Sequence, residues 1–171
     1  MKKLKLILIS FFLILLNTSL SFPSDHNYSV ISGKPEITDG DTIKINNKKI
    51  RFSGIDAPES FFFGKRQVCV LNNEDILCGK LSKDILAEKI GNNIVDCKIE
   101  KNKDRYKRLI GECFVKNESL SVFMVKNGYA FDYPKYSKGK FSKYEFYAKN
   151  LSLGLWKMTF EYPWIWRKKN R

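Results

Sequence analysis

Ile43, Ile45, Ile50 and Phe52 are apolar at alternating positions on either side of Asn46-Asn47. A period of two broken by an asparagine pair predicts a β-hairpin with one buried face. The same pattern puts Arg51 on the face opposite Phe52. Asp39-Gly40-Asp41 precedes the hairpin, a turn expected to use the positive φ that glycine tolerates. A loop with Asp56, Pro58 and Glu59 follows it. A closed hairpin would therefore gather several carboxylates and one guanidinium in a small volume, a grouping that core packing does not require.

The rest of the chain has to build a core around that hairpin, and 171 residues suffice for one domain. Tyr28–Ile37 reads as a first strand interrupted at Gly33 and Pro35. Ser60–Gly79 reads as a loop. In 80–90, Leu81, Ile85, Leu86 and Ile90 share one helical face, and Gly91 ends the helix. Asn93–Glu100 and Leu109–Val115 alternate as strands on either side of the charged turn Lys101–Arg108. Ser119–Lys126 is a short helix stopped by Asn127-Gly128, and Phe141–Asn150 is another. About five short strands with one inserted helix and others trailing predict an α+β domain, a small β-barrel of OB type.

Charge narrows the partners. The formal net charge is +13; the first 21 residues hold three lysines and no acid, leaving +10 without them. Such a surface favours an anionic partner, nucleic acid or an anionic membrane, and charge alone does not choose. At the N-terminus a basic Met1–Lys5 precedes an apolar Leu6–Leu16 and a small polar Asn17–Ser21. This pattern predicts a secretory signal peptide over residues 1–21, with cleavage near Ser21 or Ser24. The alternative is an uncleaved anchor. Cys69, Cys78, Cys97 and Cys113 all follow that segment, and an even number suits two disulfides in an oxidising compartment. Of three pairings, Cys69–Cys78 closes a short loop and Cys97–Cys113 joins two neighbouring strands. Zinc is the weaker alternative, because there is no CxxC spacing and His26 is the only histidine.

Each chemical signal has a bland counterpart. Asp41 and Asp56 on loops could ligate a hard cation, or one could simply serve a turn. Arg51 and Arg108 could grip one phosphate with planar forks, or Arg108 could belong to a solvated basic turn. Glu59 could orient or deprotonate a water, or be a surface residue after proline. Their joint order is the more specific signal: D-G-D-T at 39–42, Arg51, D-A-P-E at 56–59, K-D-R-Y-K-R at 103–108, N-G-Y-A at 127–130 and L-G-L-W at 153–156.

In that order the motifs resemble the staphylococcal (micrococcal) nuclease family, the thermonuclease-like domain, over residues 37–156. The resemblance implies a five-stranded OB barrel with about three helices. It makes Asp41, Asp56 and the backbone carbonyl of Ala57 ligands of a catalytic Ca²⁺, with Asp39 and Thr42 supporting them. It makes Arg51 and Arg108 the catalytic arginines and Glu59 the carboxylate acting on the attacking water. Tyr106 and Tyr133 would line the nucleotide pocket. Three departures stand out, one of them the differing loop Lys135–Lys140. Lys107 replaces the glycine usual before the second arginine, and the Phe61–Cys78 segment is longer and carries two cysteines.

The expectation is an exported, periplasmic or secreted, Ca²⁺-dependent nuclease. It would act as a monomer on DNA and RNA and leave 3′-phosphorylated products. Residues 28–160 would form the domain and 161–171 an aromatic and basic tail, packed on the barrel or touching a membrane surface. The rival from another class is a nucleic-acid-binding OB module that does not catalyse.

Overall fold

The computed structural model describes residues 28–104 and 106–171; the expected signal peptide lies outside them. Strands β1 (Ser29–Gly33), β2 (Glu36–Asp39), β3 (Thr42–Ile45), β4 (Lys48–Phe52), β8 (Val95–Lys103) and β9 (Leu109–Val115) form one curled sheet in the order β1-β8-β9-β4-β3-β2. The short β10 (Glu118–Ser119) pairs with β9. β5 (Ile55–Asp56) pairs instead with β11 (Phe131–Asp132). Neighbours in the main sheet are antiparallel except β4 and β9, which run parallel with Arg51 opposite Ile110.

The hairpin forms as the alternation predicts. Ile43, Ile45, Ile50 and Phe52 are at most 1% exposed, and Asn46 and Asn47 both take positive φ (50° and 62°). Two left-handed residues in succession give the turn whose twist matches the flanking strands. Gly40 does not behave as expected, since it is not among the positive-φ glycines. Space explains it instead: a Cβ there would lie 2.8 Å from Ser82 Cβ and 2.9 Å from Ala57 Cβ. Glycine at 40 lets the β2–β3 turn sit directly against a helix and the loop after β5.

That helix is α1 (Cys78–Ile90), which buries Ser82, Leu86 and Ile90 and stops at Gly91. It joins Val95, Cys97, Ile99, Cys113 and Val115 in the principal core. Helices α2 (Leu120–Lys126), α3 (Pro134–Ser137) and α4 (Ser142–Asn150) follow, α2 capped by the Ser119 hydroxyl accepting from the Val122 amide. The Ser60–Gly79 segment is more ordered than a loop. β6 (Cys69–Leu71) and β7 (Glu74–Ile76) pair across Asn72-Asn73, again with two positive φ values. β8 runs to Lys103, past the expected end at Glu100.

Both disulfides are the pairs that the spacing favoured. Cys97–Cys113 bridges directly opposed residues of β8 and β9, and Cys69–Cys78 ties β6 to the start of α1. The second bridge belongs to a smaller core with Phe131 and Leu155. Against that core pack Trp156, Phe160, Tyr162 and Trp164, and they lead into α5 (Pro163–Lys169). The tail thus packs on the domain. No helix among the described residues is long and apolar enough to cross a membrane.

Candidate active site

Strand register sets the first part of the site. Ile50 and Phe52 point into the core, so Arg51 points the other way, opposite Thr42 across the β3–β4 pair. There the Arg51 guanidinium donates Nη1 to Asp41 Oδ1 at 2.6 Å and Nη2 to Asp56 Oδ1 at 2.5 Å. Nη2 also reaches the Ile55 carbonyl at 3.3 Å. One arginine thereby holds together carboxylates from two different turns. Three of its five N–H donors are engaged in these bonds, so two remain.

Asp41 is buried and well satisfied. Its Oδ1 also accepts from the Thr42 hydroxyl, and its Oδ2 accepts from the Ala57 amide, both at 2.8 Å. Burial pushes this carboxyl up, but Arg51, the Ala57 amide and the Thr42 hydroxyl together hold it below its ordinary value. Asp56 is 0% exposed and accepts on both oxygens. Burial drives it upward, opposed by the guanidiniums around it.

Glu59 is fixed through its backbone. Its amide donates to Gln67 Oε1 at 3.1 Å, and its carbonyl accepts from the Gln67 amide at 3.1 Å. Asp39 restrains the next residue, accepting from the amide and hydroxyl of Ser60. Burial pushes the Glu59 carboxyl up to about 7, helped by the charges of Asp41 and Asp39 and opposed by Arg167. Burial and Asp41 likewise raise Asp39 to about 6. A carboxylate poised near neutrality can take a proton at physiological pH and release it again.

Arg108 arrives from the β8–β9 turn. Asp104 Oδ1 accepts from the amides of Tyr106 and Arg108, and its Oδ2 accepts from Arg108 Nε at 2.7 Å. Burial opposes these bonds, yet they hold Asp104 below its ordinary value. Lys107 takes φ 62° in this turn, the left-handed conformation for which glycine is suited. Even so Arg108 reaches the site, with Nη1 3.5 Å from Thr42 Oγ1. Tyr106 lies under its guanidinium at 5.4 Å.

Tyr133 lies in the same cleft, but one of its faces is already covered. Its ring stacks on Trp164 at 4.9 Å and 7°, with Tyr136 against it edge-on. Asp41, Arg51, Glu59, Arg108 and Tyr133 all line one cleft of about 840 Å³, rimmed by Lys49, Lys103, Lys135 and Lys168. Ala57 lies beneath it, meeting Asp41 through its amide.

The cleft holds one residue that motif reading does not find. Arg167 of α5 donates Nη2 to Asp56 Oδ2 at 2.7 Å and Nη1 to Asp56 Oδ1 at 3.0 Å. The same Nη1 donates to Glu59 Oε1 at 2.5 Å. The W-x-W-R run was the available signal, but a residue 108 positions beyond Glu59 carries no spacing information about it. Gln67 was missed as well; its Nε2 donates to the Glu161 carbonyl at 2.7 Å and so links Glu59 to the tail.

The donor set suits a divalent cation in kind. Asp41 and Asp56 are buried oxygen donors that converge, and Asp41 Oδ2 has a single hydrogen bond and acceptor capacity to spare. As they stand, the facing oxygens are bridged by guanidiniums. Among the described residues no three acidic, histidine or cysteine side chains close by themselves around an ion. A cation would have to take the place of a guanidinium to use these oxygens.

Comparison with known proteins agrees with the geometry. A family model described as staphylococcal nuclease homologue matches residues 49–158. The succinoglycan biosynthesis protein ExoI of Rhizobium meliloti is 30% identical over 130 residues, covering 74% of this chain and 65% of that protein. The staphylococcal-like nuclease CAN1 of Arabidopsis thaliana is 30% identical over 72% of this chain and 34% of its own length. An uncharacterized endonuclease of Haemophilus influenzae is 30% identical over 71% of this chain and 63% of its own. The match spans less than two thirds of each of these relatives.

Proposed function

The chain belongs to the staphylococcal nuclease homologues, and from that premise we propose that it is a Ca²⁺-dependent nuclease hydrolysing phosphodiester bonds of DNA and RNA. The observation that carries this reading is convergence. Arg51, Glu59 and Arg108 come from three separate segments and line one cleft with Asp41, and Arg51 also bonds the buried Asp56. A binding module that does not catalyse has no need to gather this glutamate, Asp41 and two arginines along one cleft.

Asp41, Asp56 and the Ala57 carbonyl are the groups that would hold Ca²⁺, which when bound supplies a Lewis acid for the phosphate oxygens. Glu59 Oε accepts the proton of the attacking water. Arg51 and Arg108 line the cleft, and their remaining donors bind the non-bridging oxygens, stabilising the charge that builds on phosphorus. Thr42 and Asp104 keep Arg108 at the rim, and Asp39 and Gln67 keep Glu59 in register. By the family resemblance the 5′ P–O bond breaks and leaves a 3′-phosphate.

The lysine rim holds the backbone without reading sequence, so activity falls as salt rises. The apolar leader and two disulfides support export to an oxidising compartment. The test is digestion of single-stranded DNA with Ca²⁺ and then with chelator, beside a Glu59→Gln variant. Digestion that survives chelation or the substitution sinks the mechanism. Binding without digestion under any condition favours the module.

A further inference from the structure

Arg167 has no part in the chemistry just described, yet it is built into the centre of the site. Both its Nη atoms bond Asp56, at 2.7 and 3.0 Å, and Nη1 also bonds Glu59. Its side chain is 17% exposed and Asp56 is fully buried. A guanidinium keeps its charge throughout the accessible pH range, so it stands there as a tethered cation.

Its delivery is not incidental. Trp164, three residues earlier, stacks between Tyr133 at 4.9 Å and Tyr162 at 4.6 Å. Trp166 meets Phe62 edge-on, and Lys65 Nζ donates to Asn170 Oδ1 at 3.1 Å. The Gln67 side chain clamps the Glu161 carbonyl at the foot of the helix. α5 is therefore held on both sides of Arg167 by the elements that also hold Glu59 and Tyr133.

We propose that Arg167 is a positioning residue that competes with a divalent cation for Asp56. Without the ion it ties Asp56 to Glu59 through Nη1 and grips the second oxygen of Asp56 through Nη2. The ion enters by displacing its two-pronged grip, because a cation bound to carboxylate oxygens at about 2.3–2.6 Å needs the edge of Asp56 that the guanidinium covers. Withdrawal needs only rotation of a long side chain, so α5 stays docked. This rests on reading Asp41 and Asp56 as metal-binding carboxylates.

Calorimetric titration of the oxidised protein with CaCl₂ tests it, in wild type, Arg167→Gln and Arg167→Lys. Removing a competitor tightens Ca²⁺ binding about tenfold in Arg167→Gln, the scale of one charge-assisted hydrogen-bonded pair. Lysine keeps the charge but not the fork, so its affinity falls between the two. Thermal unfolding without Ca²⁺ shows a lower midpoint for Arg167→Gln, and Ca²⁺ restores it. A merely structural salt bridge lowers that midpoint too but does not tighten Ca²⁺ binding, so unchanged or weaker Ca²⁺ binding in either folded variant overturns the proposal. Failure of wild type and both variants to bind Ca²⁺ overturns the metal reading as well.

Discussion

A methyl group at Gly79 would lie 2.0 Å from the carbonyl oxygen of Glu59, well inside contact distance. The first turn of α1 therefore presses on the backbone of the proposed general base, with Gln67 bonded to that same carbonyl. Gly79→Ala is expected to push Glu59 outward. A displacement near 1 Å costs about a hundredfold in turnover. Steady-state kinetics of the folded variant checks this, and unchanged turnover would show that the close approach has no part in placing Glu59.

Lys107 makes a prediction of opposite sign. A left-handed residue with a Cβ is strained by about 1 kcal/mol, so Lys107→Gly relieves strain at φ 62°. Part of the gain is offset by the greater freedom of glycine in the unfolded chain. A rise in melting temperature of up to about 4 °C is expected, read by calorimetric scanning. A fall would show that the lysine side chain contributes more than its backbone costs.

The Asp104–Arg108 pair gives a pH signature. The folded state holds Asp104 below its ordinary value, so its contribution is present above the unfolded pKa and is lost as pH falls through the folded one. Asp104→Asn removes that acid-side loss. The pair is partly solvent-screened, and the effect on stability is about 0.5 kcal/mol. Unfolding midpoints of the two proteins converge as pH falls below the ordinary carboxylate range. Parallel curves down to the lowest pH would contradict the assignment.

Replacing Cys69 and Cys78 together by serine opens a loop with a sequence separation of 9. Chain entropy predicts a loss of about 2.5 kcal/mol. The bridge also holds residue 78 against Gln67, the sulfur 3.5 Å from the Gln67 carbonyl, so opening it loosens the packing behind Gln67 and Glu59. Denaturant unfolding measures the first effect and turnover at a fixed temperature the second. A stability loss with turnover unchanged would separate the bridge from the site.

Much of the site could be read from the residues because it is made locally. Asp39, Asp41, Arg51, Asp56 and Glu59 lie within one hairpin and its turns, where a period of two decides which side chains share a face. Asn46-Asn47 announced its turn by type. Asn72-Asn73 carries the same signal and adopts the same left-handed pair, but flanking strands of three residues are too short to show a period. Gly40 is glycine for want of space, not for its φ, and space appears only once α1 is docked. Arg167 was beyond reach for the same reason: its partners are chosen by how α5 packs, which no spacing within residues 161–171 encodes.

The parallel pairing of β4 with β9 has a consequence for how the molecule comes together and falls apart. Ile50 meets Leu109, about sixty residues away in sequence, and this pairing sets the turn that carries Arg108 beside the strand that carries Arg51. Closing so long a span is an entropic cost met before any reward, which places it late on the folding route. A protease nick between residues 53 and 108, outside the disulfide-closed stretches, leaves both arginines in place on paper yet removes the covalent span that keeps them together. Partially opened forms of this chain are thus expected to be silent, with loss of activity and loss of the β4–β9 seam occurring as one event.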